Sequence, residues 1–142
     1  MEDLIYQSEV AFELGAVEDL ARSCGYQPHP KEIAGVMFLD IFVTPPPYPK
    51  LWQWVKASKE TVNTLVRRDP EAMVQYEAGT AYVIDFPIST LPELAAFLKR
   101  LLLVYGGWVG LEDDGAEDEI VTVYDAADVE TIVEHPLFAL TS

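Results

Sequence analysis

Two periods compete along this chain. From Leu4 to Leu14 the apolar residues alternate, with Leu4, Tyr6, Val10, Phe12 and Leu14 on one face and Gln7, Glu9 and Glu13 on the other, which predicts a half-buried strand. A helical register from Ser8 through Val10, Leu14, Val17, Ala21 and Cys24 competes with it. Gly15 weakens a continuous helix, so the pattern predicts a strand and then a short helix over 16–24, closed by Gly25 in a left-handed conformation.

The prolines of "YQPHPKE" predict a loop. "GVMFLDIFVT" reads as a strand buried on both faces and interrupted only by Asp40. In "TPPPYPKLWQW", residues 44–54, the prolines form a rigid connection. "PPPY" matches the short pattern that WW domains read, but Pro49 also suits a first helical turn. Leu51, Trp54, Val55, Val62, Leu65 and Val66 then recur at helical spacing, predicting an amphipathic helix to about Arg68. That register puts Trp54 in the core and Trp52 outside, with Lys56, Lys59 and Asn63.

Residues 70–78 fit either a helix capped by Asp69 or part of a hairpin. "TAYVIDFPI" predicts a strand. Thr90 and Glu93 have capping-box spacing ahead of a helix over 91–105, which Gly106 and Gly107 stop. "WVGLE" and "EIVTVYD" predict a hairpin, and Asp125 a cap for a last helix over 126–134, with Val129, Ile132 and Val133 inward and Pro136 after it.

This order predicts an α+β fold over residues 1–142 as a single domain, with helices packed on one face of a mixed or antiparallel sheet in a ferredoxin-like arrangement. The helix over 91–105 is apolar nearly all round, which predicts a second covering surface and hence a homodimer.

Charge sharpens the picture. Nine basic against 24 acidic residues give a formal net charge of -15, a surface that repels phosphate backbones, so nucleic acid is not the expected partner. No basic residue follows Arg100, while the stretch beyond it is rich in acids. The single Cys24 forms no internal disulfide, the start "MEDLIYQSEV" lacks the basic and apolar regions of a signal peptide, and the apolar run from Leu101 to Leu111 is too short for a bilayer. A cytoplasmic protein without membrane contact is expected.

Among candidate chemistries, His29 lies between prolines in a loop and His135 ends a helix, where a cation is favoured; no Gly-x-Ser-x-Gly elbow is present, and Cys24 falls on a predicted buried helix face. No metal and no cofactor is expected: Cys and His spacings do not suit zinc, and the acidic turn lacks the EF-hand pattern. "GGWVG" follows a helix and enters a strand, the reverse of a phosphate cradle. Asp40 and Asp85, each inside an apolar strand, would form a carboxylate pair if adjacent strands brought them together; the favoured expectation is instead a solvated face for each, or a pair with a helix lysine.

The segment "GGWVGLEDDG" at the end of the 91–105 helix is similar to segments in small acidic bacterial immunity proteins, which block a toxin by binding it; the resemblance transfers no functional residue. The expected function is that of an acidic interaction protein without catalytic activity, an inhibitor or immunity-type partner of a basic protein. Its expected contacts are Trp52 and the turn bearing Glu112, Asp113, Asp114, Glu117, Asp118 and Glu119. The alternative is a small-molecule-binding or hydrolytic domain with its pocket between helices and sheet, using Asp40, Asp85 or His29.

Overall fold

Around the two tryptophans, alternation prevails over helical period. The computed structural model describes residues 2–8, 10, 12–44, 48–56, 80–112 and 121–134. In it Trp52–Lys56 is a strand, so Trp52 and Trp54, two apart, share a face and are both fully buried. This corrects the helix predicted from Pro49 and the exposed position it gave Trp52. The helical stripe had only Leu51, Trp54 and Val55 in this stretch to support it, and an alternating reading uses the second indole as well. The continuation at 57–68, like residues 70–78, lies outside the described residues.

Seven strands form one sheet among the described residues: β1 (Glu2–Ser8), β2 (Gln27–Ile33), β3 (Val36–Phe42), β4 (Trp52–Lys56), β5 (Thr80–Phe86), β6 (Trp108–Glu112) and β7 (Val121–Tyr124). Their order is β2-β3-β4-β5-β1-β6-β7, and every neighbouring pair is antiparallel. Helix α1 (Leu14–Ser23) follows β1 and α2 (Leu91–Tyr105) follows β5; 3-10 turns occupy Ile88–Thr90 and Val129–Glu134. The fold is α+β. Strands β4, β5, β1 and β6 with the two helices keep the ferredoxin-like order. The β2–β3 hairpin, inserted after α1, widens one edge, and β7 the other.

One face of the sheet carries the core. Leu4, Tyr6, Leu39, Ile41, Ile84 and Phe86 meet Val17 and Ala21 of α1, the buried stripe of α2, and Val129 and Ile132 of the last turn. Phe97 of α2 lies against both indoles, its ring centroid 5.6 Å from Trp52 and 6.0 Å from Trp54. Both indole N–H groups are buried without a hydrogen-bond partner among the described residues, which costs about 1–3 kcal/mol each and is outweighed by the ring area removed from water.

Helix ends follow local chemistry. Gly25 has φ 85°, and the bonds Gly25 N–H to Arg22 carbonyl (3.0 Å) and Tyr26 N–H to Ala21 carbonyl (2.9 Å) make the Schellman closure of α1. The expected capping box at Thr90 is not formed: its hydroxyl instead donates to the carbonyl of Pro87 at 2.7 Å, inside the 3-10 turn that starts α2. At the other end of α2, the hydroxyls of Tyr6 and Ser8 donate to the carbonyls of Gly106 and Tyr105, at 2.6 and 2.8 Å. The final segment is a 3-10 turn in which Asp125 accepts from Ala127 N–H and Asp128 accepts from Asp125 N–H; Val133 points outward.

The "QPHPKEI" segment is a strand where a loop was predicted, and its place at the sheet edge is the reason. In an edge strand every second N–H points off the sheet, so prolines at 28 and 30 need cost no ladder bond and deny that edge to another strand. The β2–β3 turn places Ala34 at φ 53° and Gly35 at φ 81°, both left-handed. Gly107 has φ 92°, and a Cβ there would fall on the Gln7 carbonyl oxygen and 2.9 Å from Ser8 Cα.

Two stability changes are expected in urea titrations. Ala34→Asn relieves the left-handed alanine and raises the unfolding free energy by about 1 kcal/mol. Gly107→Ala forces backbone apart at the α2–β1 junction and lowers it by more than about 3 kcal/mol.

Candidate functional site

The face of the sheet opposite the helices carries a polar row. Register alone assembles it: His29 pairs with Asp40, Asp40 with Gln53, Gln53 with Asp85, and Asp85 with Asp3, so five consecutive strands contribute one polar residue each. Asp40 is its most buried member, 6% exposed. Its carboxylate accepts from Gln53 Nε2 at 2.7 Å and pairs with Lys31 Nζ at 3.2 Å and Lys50 Nζ at 3.6 Å. The row is flanked by buried apolar residues on the same face, Ile5 and Phe42, so it is not a plainly solvated surface.

Asp40, Asp85 and His29, the working groups considered from sequence, are thus on one face; His29 stands directly opposite Asp40, but the two acids are apart. Gln53 stands between the acids, and two strand spacings separate their backbones by about 9.5 Å, too far for the shared proton of a carboxylate dyad. Asp85 Oδ1 is buried and accepts no hydrogen bond among the described residues. His29 sets its ring edge-on to Phe42, centroids 5.1 Å apart. The partners of Asp40 had a sequence signal: with "QPHPKE" read as a strand, His29 and Lys31 fall on one face and the prolines on the other.

The other expected site residues are placed as follows. Trp52 is core, flanked by Tyr26 and Phe97, and offers no surface to a partner. Glu112 ends β6, while Asp113, Asp114, Glu117, Asp118, Glu119 and His135 lie outside the described residues. Cys24 caps α1 and its sulfur accepts a hydrogen bond from Arg100 Nη1 at 3.1 Å. Among the described residues no group of three or more acids, histidines or cysteines is arranged to hold a metal ion. No described helix is long and apolar enough to cross a membrane.

A cleft of about 470 Å³ opens between the start of α1 and the β2–β3 hairpin. Leu14, Leu39, Val36 and Met37 give it apolar walls, and Glu13, Glu18, Lys56 and Tyr82 its polar groups. None of Asp40, Asp85 and His29 reaches it, so the pocket between helix and sheet exists without the residues expected to work in it.

No known protein-family model, curated protein or solved structure matches this chain. What the site can do therefore rests on its own chemistry. The polar row supplies a neutralised carboxylate, held by two lysines and an amide. The cleft supplies an apolar surface with charges at its rim.

Two buried phenols complete the electrostatics. Burial pushes the Tyr82 hydroxyl up to about 12, reinforced by the Glu13 carboxylate, and it donates to the Phe12 carbonyl at 2.8 Å. Burial likewise raises Tyr6 far above the ordinary phenol value.

These shifts give stability a sign. The folded chain keeps protons that the unfolded chain releases above about pH 10, so stability is full below that pH and falls as pH rises toward 12. The urea midpoint is expected to drop between about pH 10 and 12, and Tyr82→Phe to flatten the drop. For Asp40, each of Lys31→Met and Lys50→Met is expected to cost under about 1 kcal/mol, because the other lysine still neutralises the carboxylate. The double substitution leaves a buried charge with one amide and costs about 3 kcal/mol, a non-additivity readable in a double-mutant cycle.

Proposed function

We propose that this protein is a non-catalytic binding partner of a basic protein, in the manner of an inhibitor or immunity protein. The observation that carries the reading is how the cations are spent. Four of the described cations are engaged within the chain: Arg22 pairs with Glu18 and Asp19, Lys31 and Lys50 with Asp40, and Lys99 with Glu130. With a net charge of -15, acids far outnumber the cations that these pairs engage. Such a field attracts a basic protein at long range, raises its association rate and weakens with salt. The commitment of Asp40 to lysines and of His29 to an aromatic ring supports a binding role over a hydrolytic one.

The contact region is the acidic stretch of Glu112, Asp113, Asp114, Glu117, Asp118 and Glu119, where no basic residue dilutes the charge. A cytoplasmic setting suits a chain with a lone cysteine. A homodimer through α2 is a second reading, supported by Leu103 and Val104, which remain 68% and 62% exposed, and opposed by the mutual repulsion of two such acidic chains.

Co-purification from the native host tests the reading. A partner with pI above about 9 is expected at low ionic strength, lost at roughly 0.5 M salt and lost also when Asp113, Asp114 and Asp118 are changed to Lys. Partners indifferent to both salt and charge reversal would refute it.

A further inference from the structure

The cleft at the start of α1 holds charges of both signs that do not meet. Glu13 and Glu18 stand on the helix side and Lys56 at the end of β4, and Leu14, Val36 and Met37 line the same cleft. Glu18 is already paired with Arg22, but among the described residues no ion pair joins Lys56 to either glutamate, and no hydrogen bond engages the Glu13 carboxylate. Val36 and Met37 are 45% and 46% exposed, so the apolar wall is open to an incoming molecule.

We propose that this cleft binds a small zwitterion with an apolar body, of the class of free apolar α-amino acids or their short peptides. The ammonium group lies toward Glu13, the carboxylate toward Lys56, and the apolar side chain against Leu14, Val36 and Met37. The choice follows by comparing ligand classes. A simple cation meets Lys56, a simple anion meets two glutamates, and an uncharged apolar body strips water from the rim charges without replacing it. A zwitterion satisfies both walls, and the cleft volume falls within the range of small-molecule sites. This site is independent of the basic-partner reading and of the acidic turn.

The test follows the Met37 methyl resonance of the full chain by NMR during titration with leucine, phenylalanine, leucyl-leucine, N-acetyl-leucine and leucinamide. At least one of the zwitterions is expected to shift the methyl saturably. Blocking either end of leucine should weaken its binding about tenfold, the effect of one charge-assisted contact in a solvent-exposed rim. Lys56→Ala should weaken leucine but leave leucinamide unchanged, and Glu13→Gln should weaken leucine but leave N-acetyl-leucine unchanged. Both side chains are exposed, and an unaltered urea midpoint would establish that the variants are folded. No shift with any of the three zwitterions, equal affinity for blocked and unblocked leucine, or indifference to both substitutions would overturn the proposal.

Discussion

Phe97 wedged against Trp52 and Trp54 is the contact on which the rest of the fold depends. It joins the middle of α2 to β4, and through the indoles it reaches Tyr26 after α1 and Tyr6 and Tyr82 on the central strands. Large rings bury much area for little side-chain entropy, so one cluster fixes both helices over the sheet. Two unsatisfied indole N–H groups are accepted in that cluster, which says that ring area, not hydrogen bonding, decides its stability.

Seating α2 there constrains the neighbouring chain. Its last carbonyls fall within reach of the Tyr6 and Ser8 hydroxyls, and the backbone at Gly107 approaches β1 so closely that only hydrogen fits. The same register that brings the tryptophans inward turns Gln53 outward between Asp40 and Asp85. Core and polar row are therefore two faces of a single alternation. A one-residue slip would exchange them, placing carboxylates against Phe97.

The sheet manages its edges by different means. At β2 two prolines remove donors from the free side, and at the other end β7 is only four residues long. At the corner between α1 and the hairpin, Leu14, Val36, Met37 and Lys56 line the charged cleft.

The sequence by itself determined the α+β class, the β5 strand, the α2 helix with its glycine stop, the β6–β7 pairing and the left-handed Gly25, because each is written in local period or in the special freedom of glycine. It misplaced Trp52 and the "QPHPKE" strand, since five residues around two tryptophans fit either period and prolines forbid a central strand but not an edge one. The polar row was half legible: Asp40, Asp85 and His29 stood out as polar residues in unusual surroundings. Only tertiary structure decided that they share a face, that Gln53 separates the acids, and that Lys31 and Lys50 neutralise the buried one. Pairing register between distant strands is set by the packing of the whole core, and no local pattern carries it.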